Sequence, residues 1–94
     1  MKLIMGTIVT VYLINDCPYC KKLLGLLNEA NIQYETVDIG TEEGEKIFEP
    51  VHDISQSYMV PTIVIGERIL VPEIGFITID MAFKIIRMIL NEEI

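Results

Sequence analysis

Two cysteines occur in this 94-residue chain, Cys17 and Cys20, with only Pro18 and Tyr19 between them in the stretch "LINDCPYCKKLLGLL". Sulfur at this spacing could staple the fold, hold a metal, or pass electrons. A bridge between residues three apart closes too short a loop to restrict the unfolded chain by much, so stabilisation alone explains the pair poorly. Structural zinc takes four nitrogen or sulfur ligands, and the two cysteines with His52 leave one chain a ligand short. A metal or iron–sulfur cluster would need the thiolates of two chains across a dimer. The remaining chemistry is thiol–disulfide exchange, in which one thiolate opens a disulfide and its neighbour resolves the mixed disulfide.

The pair must be held by what surrounds it. "TIVTVYLI" at residues 7–14 is β-branched and nearly continuously apolar, as expected of a central strand covered on both faces. Residues 17–30 follow with polar Lys21, Lys22, Gly25, Asn28 and Glu29 on one side and Leu23, Leu24, Leu26, Leu27 and Ala30 on the other, which is a helical period. Pro18 suits the first turn of that helix, where its missing N–H leaves nothing unpaired. Cys17 then sits where unpaired backbone N–H groups and the helix dipole favour an anion, and Cys20 lies one turn on, facing the same way. In the exchange reading Cys17 is the attacking thiolate and Cys20 the resolving thiol. Asp16 opposes the anion at Cys17, whereas Lys21 and Lys22 favour it.

"QYETVDI" at residues 33–39 alternates as a second strand, which makes strand, helix and strand a parallel crossover unit. Thr41 reads as the N-cap of a second helix whose first turn carries Glu42, Glu43 and Glu45. Pro50 predicts a stop or kink near Glu49, and "VHDISQSY" after it is ambiguous. "PTIVIGERILV" at residues 61–71 reads as a hairpin turning at Gly66-Glu67, with Pro72 ending its second strand as an edge. Thr78 caps a last helix running to about Glu92. Its polar residues Asp80, Lys84, Arg87 and Asn91 form one narrow stripe, and the rest reads as a deeply packed face or a homodimer contact. Met59, Met81 and Met88 read as gap-filling core residues, Tyr12 as core and His52 as a surface histidine. The order is β-α-β-α-β-β-α: an α/β chain with a four-stranded mixed sheet and helices on both faces.

Composition bounds the rest. Hydrophobic residues make up 51% of the chain, enough for one core, so one domain over residues 1–94 is expected. A net charge of -7 with only seven Lys and Arg argues against nucleic acid and for a basic or neutral partner. The acidic residues from Glu35 to Asp53 read as a solvated face. "MKLIMGTIVTVYLI" begins like a signal peptide but lacks a small-residue cleavage site and runs into the CxxC. No stretch reaches the roughly 18 apolar residues of a membrane span. A soluble cytoplasmic protein without membrane contact is the expectation, in a compartment where a CxxC is catalytic or metal-binding rather than structural.

"CPYC" after a strand, followed by "VPTIVI-G" in a later hairpin, resembles glutaredoxin, and more broadly the small dithiol proteins of the thioredoxin-like fold. The resemblance runs from about Thr7 to the last helix. It implies a small oxidoreductase that reduces protein disulfides by a dithiol mechanism, with no tightly bound cofactor. It also implies that Pro61 is cis beside the CxxC, that the Val60 backbone pairs with the substrate, and that Pro18 and Tyr19 shape the rim. Family members that use glutathione typically carry lysine three residues before the first cysteine, threonine before Val-Pro, and Gly-Gly-acid after the hairpin. Ile14, Met59 and "LVPE" (Leu70 to Glu73) stand at those positions, so Glu73 alone keeps the pattern and weak glutathione binding is expected. "GF" at Gly75-Phe76 resembles glutaredoxin-like proteins reduced by a flavin-dependent, thioredoxin-reductase-type enzyme. The electron donor is therefore such a reductase or glutathione, and the losses at Ile14, Met59 and Leu70-Val71 predict that the reductase does better.

Overall fold

In a computed structural model, residues 8–92 are described, with the side chain of Glu92 excepted. Thr7, where the sequence placed the start of the first strand, and the whole of the signal-like "MKLIMG" lead before it lie outside the described residues. The observed order is β1 (Val9–Leu13), α1 (Pro18–Glu29), β2 (Tyr34–Asp38), α2 (Glu42–Ser55), β3 (Thr62–Ile65), β4 (Arg68–Leu70) and α3 (Ile79–Glu92). The strands form one mixed sheet in the order β2-β1-β3-β4. β1 runs parallel to β2, with Val11 opposite Thr36, and antiparallel to β3, with Val11 opposite Ile63. β3 and β4 pair antiparallel about Gly66-Glu67, with Ile65 opposite Arg68. Gly66 has φ 61 while Glu67 does not join it in the left-handed region, as a two-residue turn with glycine first requires.

The pleat sorts the side chains into two layers. Val9, Val11, Ile63 and Ile65 join Leu23 and Leu27 of α1 and Ile79, Ala82, Ile86 and Ile89 of α3 in one core. Tyr12 points the other way, where its ring lies 5.1 Å from that of Phe48 on α2. The corner between β2 and α2 is built on Asp38. Its backbone carbonyl accepts from Thr41 Oγ1 at 2.8 Å, its Oδ1 accepts from Gly40 N–H at 2.8 Å, and Thr41 Oγ1 in turn accepts from Gly44 N–H at 2.9 Å. Thr78 caps α3 as expected, its Oγ1 accepting from Met81 N–H at 3.1 Å.

Three expectations change. α2 does not stop near Glu49: it runs through Pro50 to Ser55 and ends at Gln56, whose φ of 58 is left-handed. Pro50 is exposed, so the carbonyl one turn back can turn to water, while fully buried Phe48 keeps the helix seated on the sheet. Met59, Met81 and Met88 are not core residues, being 44%, 41% and 55% exposed; the small Ala82 and β-branched Ile86 and Ile89 fill the space beneath α3 instead. His52 is not a plain surface residue either, since its ring stacks on Tyr58 at 3.9 Å between centroids.

Candidate active site at the first helix N-terminus

The end of β1 delivers the chain into a turn in which Asp16 adopts φ 60, a conformation that aspartate tolerates better than most residues. Cys17 follows as the N-cap of α1, extended at φ -110 and ψ 103, and Pro18 occupies the first helical position. Sulfur here does what a serine or aspartate oxygen does at other helix starts. Cys17 Sγ accepts from the backbone N–H of Cys20 at 3.1 Å, and Cys17 O accepts from Lys21 N–H at 3.0 Å. The two sulfurs are joined as a disulfide, with the Cα atoms 5.2 Å apart. Cys17 keeps 7% of its surface and Cys20 2%, so both are buried and the leading one is the nearer to solvent.

Beside this turn runs a groove of about 530 Å³. It brings together four residues singled out from the sequence: Tyr19, Val60, Pro61 and Glu73. The Val60–Pro61 peptide is cis. Buried Thr62 ties down the segment before it, donating from Oγ1 to Met59 O at 2.7 Å, while Met59 N–H donates to Ser57 Oγ at 3.0 Å. Pro18 is exposed and outside the groove lining. Of the positions that depart from the glutathione-using pattern, Met59 lines the groove, Ile14 is exposed, and Leu70 and Val71 are buried and outside the lining. Lys22, Phe76, Ile77, Thr78, Ile79 and Asp80 also line it; of these the sequence offered for this site only Lys22, as a charge favouring the Cys17 anion, and Phe76, in "GF". Lys22 Nζ stands 3.7 Å from Asp80 Oδ2, linking α1 to the first turn of α3.

His52 stays apart from this groove, in the cluster of Tyr12, Phe48 and Tyr58 under α2. Burial raises the Tyr12 phenol above its ordinary value of 10.0 by desolvating its anion. Among the described residues, no group of three or more His, Cys, Asp or Glu could hold a metal ion. No helix among them is long and apolar enough to cross a membrane.

Comparison with known proteins agrees with this arrangement. The fold superposes on a glutaredoxin from Archaeoglobus fulgidus with a TM-score of 0.65 and 28% identity, over 93% of this chain and 97% of that one. It also superposes on a buckwheat glutaredoxin solved as a glutathione complex, with a TM-score of 0.64 and 18% identity, over 87% and 70% of the two chains, a likeness of fold alone. Two curated sequences named Glutaredoxin 1, from Rickettsia conorii and Rickettsia felis, are 44% and 42% identical over 48 residues. That alignment covers 48% of this chain, and the chain spans about half the length (46%) of these relatives. Residues 9–70, from the start of β1 to the end of β4, match the family model described as Glutaredoxin. With the dithiol turn, the sheet order and the family match in agreement, the chain belongs to the glutaredoxin family.

Proposed function

We propose that the protein is a thiol–disulfide oxidoreductase that reduces disulfides of protein clients through Cys17 and Cys20. The observation that carries this reading is the 3.1 Å hydrogen bond from Cys20 N–H to Cys17 Sγ at the start of α1, with the second sulfur within bonding reach. A helix N-terminus that already donates to sulfur stabilises the thiolate needed for attack. In the reduced protein, Cys17 Sγ attacks one sulfur of the client disulfide and forms a mixed disulfide, and the client's other sulfur leaves as a thiolate that takes a proton from solvent. Cys20, losing its proton, then attacks Cys17 Sγ. The second client thiol departs and the Cys17–Cys20 disulfide remains, so the client has gained two electrons and two protons.

An external donor must return those two electrons. Ile14, Met59 and Leu70-Val71 stand where glutathione-using relatives carry lysine, threonine and paired glycines, which supports a thioredoxin-reductase-type flavoenzyme over glutathione as that donor. A reducing compartment such as the cytoplasm suits a carrier that must be reset after each turn. In this reading the Val60 backbone lies alongside the client segment, with Tyr19, Pro61 and Glu73 bounding it and Pro18 left outside the groove.

The test is to incubate reduced Cys20→Ser protein with a disulfide-bearing model protein and look by mass spectrometry for a mixed disulfide at Cys17. Trapping in Cys20→Ser, with none in Cys17→Ser and no turnover in either, is the expected result. Failure to trap, or disulfide reduction by Cys17→Ser, would remove the dithiol mechanism. Coupling the wild-type protein in turn to glutathione with glutathione reductase and to a thioredoxin-reductase-type enzyme should favour the second.

A further inference from the structure

The groove beside the dithiol has an unbalanced charge. Its lining holds one ammonium, Lys22, and two carboxylates, Glu73 and Asp80. That single cation is already engaged, with Lys22 Nζ 3.7 Å from Asp80 Oδ2. The rest of the lining is largely apolar, and much of it stands open to solvent: Tyr19 is 67% exposed, Ile77 78% and Met59 44%. The N-terminus of α3 meets the groove through Thr78 and Asp80, and the partial positive charge of a helix start would ordinarily welcome a substrate carboxylate. Here the chain answers it internally. Thr78 Oγ1 takes the N–H of Met81 at 3.1 Å, and Asp80 supplies a negative charge in the first turn.

We propose that this groove selects, as client of the dithiol, a polypeptide segment bearing a basic and an apolar side chain beside its half-cystine, and that it disfavours glutathione. The proposal rests on the thiol–disulfide reading of Cys17 and Cys20 and adds the class of substrate. Asp80 and Glu73 are the specificity-determining residues. A client Arg or Lys finds Glu73 while the one cation of the lining, Lys22, is engaged by Asp80, and it can share Asp80 with Lys22. An apolar client side chain covers Met59 and Ile77, removing from water surface that the chain alone leaves exposed. Glutathione brings two carboxylates and one ammonium, so it meets a lining of its own net sign. The net charge of -7 extends the same preference over longer range by drawing basic clients toward the surface.

The experiment uses wild-type protein kept reduced by dithiothreitol, whose two thiols supply the electrons for each turn. Three disulfides are compared: a peptide disulfide flanked by Arg and Leu, the same peptide with Glu for Arg, and glutathione disulfide. At low ionic strength kcat/KM for the Arg peptide should exceed the other two by about tenfold, and the contrast should shrink steeply as added salt screens the groove. In the double variant Glu73→Gln, Asp80→Asn the ratio of Arg to Glu peptide should collapse toward one, and Lys22, released from its partner, should improve glutathione disulfide turnover. Equal rates on the two wild-type peptides, or an undiminished ratio in the double variant, would overturn the assignment of specificity while leaving the exchange chemistry standing. Turnover of none of the three would remove the thiol–disulfide reading itself, and the substrate assignment with it.

Discussion

At Cys17 a sulfur occupies the place that a hydroxyl or carboxylate oxygen takes at most helix starts, and the same hydrogen bond from Cys20 N–H caps the helix and, in the proposed mechanism, steadies the attacking thiolate. A serine can make that bond without the redox chemistry. Cys17→Ser should therefore leave the stability of the dithiol form within about 1 kcal/mol by denaturant titration while disulfide reduction is lost. Tyr12 makes a different kind of prediction. Burial raises its phenol above 10.0, so the folded state holds that proton more tightly than the unfolded chain does. The resulting stabilisation is complete below pH 10 and is lost as pH climbs from there through the raised folded value. Stability measured across that alkaline range should fall more steeply for wild type than for Tyr12→Phe, and coincident curves would show that Tyr12 is not the group responsible.

Among the elements, α2 best shows packing overruling local preference. Pro50 removes a backbone donor from the middle of the helix, yet the helix persists to Ser55 because Phe48 is fully buried against Tyr12 and Tyr58. Replacing Pro50 with alanine should restore the missing bond and raise stability by about 1–3 kcal/mol in urea unfolding. The same substitution earlier in this helix should act in reverse. A Cβ on Gly44 would run into the backbone carbonyl of Asp38, the atom that anchors Thr41 at the corner. Gly44→Ala should cost about 1–3 kcal/mol, because the helix start must move off the end of β2 to make room. Opposite signs for two alanines in one helix form a stringent check, and two losses would mean that Pro50 is favourable where it stands.

For the molecule as a whole, the question is what covers α3. Ile86 is fully buried between helix and sheet, whereas Met88, two residues on, is 55% exposed. Ile86→Ala should cost about 2–5 kcal/mol through the cavity it leaves, and Met88→Ala should stay within about 0.5 kcal/mol. Run at two protein concentrations a hundredfold apart, the same titrations distinguish an open face from a covered one. A Met88→Ala loss that grows with concentration would mean that another copy seals this surface.

The sequence by itself determined the local units and the seat of the chemistry. The β-branched run before Cys17, Pro18 at the first helical position, Thr41 and Thr78 as caps, and glycine leading the Gly66-Glu67 turn all act within a few residues, so they can be read one at a time. The resemblance of "CPYC" and "VPTIVI" to glutaredoxin carried that reading to the whole fold. Tertiary structure decided what depends on partners distant in the chain. It laid α2 across Pro50, moved Met59, Met81 and Met88 to the surface, and set His52 against Tyr58. It also set Lys22 of the first helix against Asp80 of the last, giving the groove a charge balance that no stretch of sequence contains. The physical reason is common to all of these: hydrophobic burial, ring stacking and Coulomb attraction act between neighbours in space, and it is the packed fold, not the spacing along the chain, that decides which residues those are.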